Sequence, residues 1–228
     1  MQLTKLQLAE IKSFISRKGI KYTDVQMEIV DHVASAVEER MHADHQLTFE
    51  MALKQVHASF GIFGFGGMED SIINGMGKKY NRLFWTYFLS LFGQRYLLLV
   101  LIGGFLIYEL QVISTANFYF VTLVLLAAVA LSAIAVVVGL LRHKGYKNLL
   151  VYRTSIVYFM FIGSFLQIFN FVVNHSTDVV IYGIQRNFLL LSILLVLFVL
   201  YVITAIRTAC IGVKESKILL DKYKLLNS

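Results

Sequence analysis

The sequence predicts an all-α protein, in which an N-terminal cytoplasmic helical domain precedes a bundle of four transmembrane helices. Hydrophobic residues make up 57% of the chain and charged residues only 15%. The apolar residues fall into four blocks, each about as long as the roughly 20 residues that a helix needs to cross a bilayer. A soluble helical core would need helices with a polar outer face, and residues 123–141 have no such face.

Residues 1–80 are predicted to form the cytoplasmic domain from short helices that have their own caps. Thr4 can cap the first helix, with Gln7 placed to complete a capping box. A second helix is predicted over about residues 23–43, and Thr48 can cap a third. Because the domain is small, we expect its apolar stripes to close against each other and against the segment that follows.

Glycines are expected to end the first helix at Gly19 and the third at Gly61. The glycine-rich segment 61–67 resembles a phosphate-binding loop only superficially, because it lacks the Gly-Lys-Ser/Thr ending and has aromatic residues between its glycines. We predict a tight turn anchored by aromatic side chains, followed by a helix from Met68 to about Tyr80.

Residues 81–95 form an aromatic segment flanked by basic residues, with Trp85 near its middle. Trp, Tyr and basic side chains favour the headgroup region of a bilayer. The segment is predicted to be a helix in the interface or an oblique entry into the first span. An ordinary packed core helix is the alternative.

The membrane region covers residues 96–213, and a basic tail, residues 214–228, follows it. The predicted spans cover about residues 96–114, 118–141, 151–173 and 188–212. Glycines within them, at Gly103-Gly104, Gly139 and Gly163, are expected to let helices approach closely.

The charge distribution predicts the orientation of the spans. Residues 1–82 contain ten Lys or Arg and ten Asp or Glu, whereas the rest of the chain contains eleven and four. The basic excess falls in the link between the second and third spans and in the tail, and basic loops favour the cytoplasmic side. We therefore expect both termini in the cytoplasm of a multi-pass protein. No cleavable signal peptide is recognised at the N-terminus.

Several short motifs resemble the HAAS-type domain, the helical domain associated with PadR-like regulators. They are the stretch 22–33, the acidic pair Glu38 and Glu39, the stretch 48–53 that begins the third helix, and Phe60-Gly61. The resemblance covers roughly residues 20–62. It implies a bacterial inner-membrane protein with a signalling or regulatory role, and it does not imply catalysis.

Two sets of residues on the second helix are candidate sites. Glu28, Asp31 and His32 share one helical face and could bind a divalent ion with a fourth ligand, although solvated or partner-facing side chains are the default for such a face. Glu38 and Glu39 are predicted to belong to a docking surface for a protein partner.

A third candidate lies in the third span, where Gln167, Asn170 and Asn174 form a polar stripe. Buried amides can join helices by hydrogen bonds or form a ligand site, and helix packing is the expected role. No acidic or basic residue accompanies them deep in the bilayer, where charges usually mark ion or substrate pathways.

The absent motifs separate three classes of function. The sequence contains no set of nucleophile, acid–base pair or metal ligands that would indicate an enzyme or a cofactor. It also contains neither spans broken by proline nor internal repeats, which would indicate a transporter. The basic balance indicates contact with membrane lipids and not with nucleic acid. We therefore expect a regulatory or interaction protein with a protein partner. The alternative is an accessory subunit of a transporter or other membrane complex, and homo- or hetero-oligomer formation is left open.

Overall fold

The computed structural model describes residues 2–61, 64–114, 118–141, 144–175, 180–181 and 184–227. Almost all of these residues are helical, which confirms the predicted all-α class. The helices are α1 Lys5–Ser16, α2 Thr23–Ala43, α3 Phe49–Ser59, α4 Gly66–Ser90, α5 Gln94–Ile113, α6 Phe118–Leu141, α7 Leu150–Ile156, α8 Ile162–His175 and α9 Arg186–Asn227.

Short elements complete the described chain. One 3₁₀ turn covers Lys144–Tyr146, and a second, Val157–Phe161, joins α7 to α8. Before α9, the strands β1 Val180–Ile181 and β2 Ile184–Gln185 pair antiparallel. These strands of two residues each do not alter the all-α class.

The chain divides into two compact units. The amino-terminal unit contains residues 1–79, 145–154 and 215–228, and the apolar unit contains residues 80–144 and 155–214. The domain predicted over residues 1–80 thus gains two segments in the structure. Both are distant in the sequence, and no local pattern could assign them to this unit.

The core of the amino-terminal unit is formed by α1, α2 and α3 together with Leu150 from the start of α7. Its local caps follow the predictions. Thr4 and Gln7 form both hydrogen bonds of the capping box, and the Thr48 hydroxyl accepts a hydrogen bond from the Met51 N–H. The amino-terminal unit therefore has helix ends fixed by their own sequence and a continuous apolar interior.

The glycine-rich segment forms the predicted turn. Gly61 and Gly64 have φ angles of 70° and 52°, which favour glycine. The Phe65 ring is buried and packs edge-on against Phe60, with their centroids 4.9 Å apart. Aromatic anchoring of this turn is confirmed for the described part of the segment, whereas residues 62–63 lie outside it.

The predicted helix end near Tyr80 is wrong, because α4 continues without a break to Ser90. Its internal glycines, Gly75 and Gly77, each cost only about 1 kcal/mol of helix stability. Further along α4, the Tyr80 and Phe84 side chains are fully buried in the apolar unit. Burial of these rings offsets the low helix propensity of the glycines.

The aromatic segment that was predicted for the interface has two different faces. Phe84 stacks on Tyr158 with ring centroids 4.1 Å apart and is only 1% exposed, as the packed-helix alternative requires. Trp85 is 50% exposed and Leu89 is 62% exposed, as an interfacial helix requires. Within the same segment, the Tyr87 ring makes a cation–π contact with Arg207 of α9, whose Cζ atom lies 3.9 Å from the ring centroid.

Four helical stretches of the described chain are long and apolar enough to cross a membrane: residues 94–113, 122–139, 150–174 and 186–223. They agree with the four predicted spans, with two differences of detail. The third is interrupted by the 3₁₀ turn between α7 and α8. The fourth continues through the predicted basic tail, so that α9 is a single helix of 42 residues.

The glycines of the spans differ in how closely other residues approach them. A Cβ atom at Gly104 of α5 would lie 3.6 Å from Val196 Cγ2 of α9, an ordinary contact distance. A Cβ atom added at Gly103, Gly139 or Gly163 would meet no heavy atom within 4 Å. A Cβ atom at Gly212 of α9 would instead overlap the side chain of Ser155, which is fully buried in α7. Within the described chain, the predicted close approach is thus seen at Gly104 but not at Gly103, Gly139 or Gly163.

Candidate functional site

The site with the most specific geometry is built around Asp24, in the first turn of α2. Its carboxylate accepts hydrogen bonds from the Leu150 N–H at 2.8 Å and the Val151 N–H at 3.0 Å, one on each oxygen. The first N–H groups of a helix have no partner within the helix, and a carboxylate is well suited to accept from them. Asp24 therefore caps α7 from another helix, and we call this contact the Asp24 cap.

A second contact places the two chain segments side by side. The Thr23 N–H donates to the Asn148 carbonyl at 2.9 Å, one residue before Asp24. Leu149, Leu150 and Val151 are each at most 5% exposed, and Asp24 itself is 9% exposed. The Asp24 cap is thus shielded from water. Hydrogen bonds to an ionised group are strong in such an environment, because the local dielectric constant is low.

The Asp24 cap links the amino-terminal unit to the start of the third apolar stretch. Leu150 is the first residue of the stretch 150–174 that is long enough to cross a membrane, and it also belongs to the core of the amino-terminal unit. The first turn of α2 and the first turn of this stretch therefore share two hydrogen bonds. No local pattern around residue 24 points to the N–H groups of residues 150 and 151, so the sequence did not predict this site.

The end of α9, from Glu215 onward, belongs to the amino-terminal unit and makes two further contacts within it. Lys79 Nζ lies 2.7 Å from Glu215 Oε2, an ion pair between partly exposed side chains. A Cβ atom at Gly145 would lie 3.8 Å from Leu220 Cδ1, an ordinary van der Waals distance. Both segments that were not predicted for this unit therefore make contacts within it.

The outward face of α2 contains the residues considered as metal ligands. Glu28, Asp31 and His32 are all exposed, and Glu28 and His32 form a pair with Oε1 and Nε2 3.7 Å apart. Among the described residues, no group of three or more His, Cys, Asp or Glu side chains could hold a metal ion. The geometry of this face is that of a solvated acidic surface.

The two glutamates considered for docking have different surroundings. Glu38 Oε1 accepts a hydrogen bond from the Leu3 N–H at 2.8 Å and so holds the N-terminal segment against α2. Glu39 is exposed on the same face as Glu28 and Asp31, because these positions recur at helical spacing. We call Glu28, Asp31 and Glu39 the acidic face of α2.

An aromatic cluster lies beside the glycine-rich turn. The His57 ring packs edge-on between Phe14 and Phe65, with centroid distances of 5.1 Å and 5.3 Å. Burial and, to a smaller extent, the nearby Lys18 ammonium lower the pKa of His57 below its usual value of 6.5. Both causes favour the neutral imidazole in the folded protein.

The amide stripe of the third span faces away from the core of the apolar unit. Gln167, Asn170 and Asn174 are all exposed, and the Asn174 amide donates to the Asn170 side-chain oxygen. The opposite face of α8 packs into the core through Phe169, which is 8% exposed. These amides therefore lie on an exposed face of the described chain, and their predicted role in helix packing stays a prediction.

An apolar groove of about 610 Å³ lies between α5 and α9 in the apolar unit. Its lining includes Gly104, Tyr108 and Ser192, and none of the described residues that line it is charged. The Ser192 hydroxyl donates to the Phe188 carbonyl at 2.7 Å, and it also lies 3.3 Å from Oε1 of the fully buried Gln111. A groove of this chemistry suits a lipid acyl chain.

Comparisons of the chain with protein-family profiles, with curated proteins and with solved structures find no match.

Proposed function

We propose that this chain is an integral membrane regulatory or interaction protein of the bacterial inner membrane, with both termini in the cytoplasm. In this proposal the amino-terminal unit is a docking module and the apolar unit is its anchor. The Asp24 cap is the observation that supports this function most directly. It joins the first turn of α2 to the start of a membrane-spanning stretch through two charge-assisted hydrogen bonds.

The docking surface that we propose is the acidic face of α2. Its carboxylates, Glu28, Asp31 and Glu39, are exposed, whereas Glu38 is engaged by the Leu3 N–H. A surface with one sign of charge attracts an oppositely charged segment and speeds its association. The expected partner is therefore a cytoplasmic protein that presents a basic segment.

In this proposal, the Asp24 cap couples the binding of a partner on α2 to the start of the third span. A partner that binds α2 more tightly in one of two arrangements of its first turn would shift the equilibrium between them. Because Asp24 holds the Leu150 and Val151 N–H groups, such arrangements would differ in how the third span begins. Regulation then needs no catalytic group in this chain and no cofactor.

The resemblance of residues 20–62 to HAAS-type domains supports the same class of function. Domains of that family commonly precede several membrane spans in bacterial proteins with regulatory roles. The basic residues near the predicted cytoplasmic ends of the spans also favour contact with anionic lipids. This charge distribution supports an interaction module anchored by its membrane spans over a nucleic-acid-binding protein.

The test is native co-purification from membranes with a charge-reversed acidic face. Asp31→Lys/Glu39→Lys should reduce recovery of the specific partner by about tenfold or more, because it replaces attraction with repulsion. The matched control is Glu10→Lys/Glu50→Lys, which makes the same change of charge at exposed positions of α1 and α3. Equal recovery by all three proteins would remove the acidic face of α2 from the proposal.

The identity of the recovered protein decides between the two candidate functions. A cytoplasmic regulator supports the docking function that we propose. A stoichiometric complex with a transporter would instead identify the chain as an accessory subunit.

A further inference from the structure

The amide stripe lies on the wrong side of α8 for packing within one chain. Four residues fall within an arc of about 60° at 3.6 residues per turn: Gly163, Gln167, Asn170 and Asn174. The side chains that pack into the core of the apolar unit lie on the opposite face of the helix: Phe165, Phe169 and Val172. The polar face of this membrane-spanning helix therefore points away from its own bundle.

Hydrocarbon is a poor environment for such a face. Each primary amide has two N–H donors and one carbonyl acceptor, and the hydrogen bond from Asn174 to Asn170 satisfies one donor and one acceptor. Lipid chains offer no hydrogen-bonding groups to the rest. Polar side chains on membrane helices are accordingly found at contacts with other helices.

Gly163 extends the stripe with an open stretch of backbone. A Cβ atom at this position would have no heavy atom within 4 Å, so no described part of the same chain occupies this surface. Small residues in membrane helices allow a neighbouring helix to approach closely. Gly163 thus adds a point of close approach at one end of the amide stripe.

We propose that the amide stripe of α8 is the contact surface of a homodimer in the membrane. A second copy inserts with the same orientation, so its Gln167, Asn170 and Asn174 lie at the same depth. An amide both donates and accepts hydrogen bonds, and an uncharged amide stripe is therefore complementary to an identical stripe across a two-fold axis. The stripe contains no charge that would call for an oppositely charged partner.

Disulfide cross-linking in native membranes tests the dimer. In a Cys210→Ala background, which removes the single native cysteine, Asn170→Cys should form a disulfide-linked product of twice the chain mass. The matched control is Leu106→Cys, which lies on α5, is 60% exposed and should remain monomeric. Equal cross-linking at both positions, or none at position 170, would overturn the proposal.

A second variant tests the energetic role of the amides. Gln167→Leu/Asn170→Leu/Asn174→Leu should raise the dimer dissociation constant in detergent about tenfold or more, with no fall in the unfolding temperature of the monomer. A variant that stays dimeric would contradict the proposal. If this variant does not fold, the cross-linking result decides alone.

Two further results would also contradict a second copy as the occupant. A cross-linked product of another mass would identify the helix of a different protein. Rapid labelling of Asn170→Cys in intact membranes by a membrane-impermeant thiol reagent would show that the stripe faces water. In either case the amides serve another purpose.

Discussion

Asp24 shows what a single side chain contributes when its partners are distant in sequence. Its two acceptor oxygens lie 126 and 127 positions from the N–H groups that they bind. The Thr4 and Thr48 caps connect residues only three positions apart, so short sequence patterns predict them. An acidic residue at the start of a helix predicts a local cap equally well, and only the fold reveals that Asp24 serves α7.

Removal of the Asp24 carboxylate should destabilise the protein in graded steps. Asp24→Ala leaves two buried N–H groups without an acceptor, and we expect a loss of about 2–3 kcal/mol. Asp24→Asn retains one acceptor oxygen and should cost about 1 kcal/mol. Thermal unfolding in detergent measures the series, and faster amide hydrogen exchange at residues 150 and 151 would localise the effect.

The matched control for this series is Asp31→Asn, on the exposed face of the same helix. Its unfolding temperature should stay close to that of the wild type, because exposed substitutions usually change stability by less than about 0.5 kcal/mol. If Asp24→Ala unfolded at the same temperature as this control, the Asp24 cap would have no structural importance.

His57 should make the stability of the amino-terminal unit depend on pH. Its pKa is lowered in the folded state, so the neutral imidazole contributes stability above pH 6.5, and this contribution is lost as the pH falls through the lower folded-state value. His57→Phe preserves the aromatic contacts with Phe14 and Phe65 without a titrating group. Thermal unfolding at pH 7.5 and pH 5.5 compares the two proteins.

The wild type should lose more stability than His57→Phe between these two pH values. The comparison cancels the contribution of groups that titrate in both proteins. An equal loss in both would show that neutral His57 does not stabilise the fold.

At the scale of whole elements, the positions of the helices were easier to predict than the faces that each helix buries. Apolar runs determine α2 and the four apolar stretches locally, and the glycines after α1 and α3 help to end those two helices. The continuity of α4 could not be predicted, because it depends on the burial of Tyr80 and Phe84 among distant residues. The outward direction of the amides on α8 likewise depends on which face its neighbours cover.

Substitution of Gly212 in α9 by alanine should destabilise the protein. In Gly212→Ala the new Cβ atom would overlap Ser155 Oγ and Cβ, and overpacking of this kind costs about 1–3 kcal/mol. We expect the unfolding temperature in detergent to fall by about 2–10 °C. Ser155→Gly in the same chain removes the overlapping side chain and should recover part of the loss.

Gly103→Ala is the control for this prediction, because its Cβ atom would have no heavy atom within 4 Å. Alanine favours helix more than glycine by about 1 kcal/mol, so this variant should be unchanged or slightly more stable. Equal effects at positions 103 and 212 would contradict the close approach of α7 and α9.

At the scale of the whole molecule, the chain combines a unit with balanced charge and a unit built from apolar helices. Hydropathy and charge counts predicted this division, because they depend on composition over long windows. The assignment of residues 145–154 and 215–228 to the amino-terminal unit required the structure. The proposed docking function depends on one further property, which is the side of the membrane on which this unit lies.

Cysteine accessibility in intact cells tests this central claim most directly. In a Cys210→Ala background, Lys144→Cys should be protected from a membrane-impermeant thiol reagent and Ser176→Cys should be labelled. This result is expected because the link that contains Lys144 is basic, whereas the link that contains Ser176 is nearly free of basic residues. Labelling of Lys144→Cys with protection of Ser176→Cys would place the amino-terminal unit outside the cell and contradict a cytoplasmic docking function.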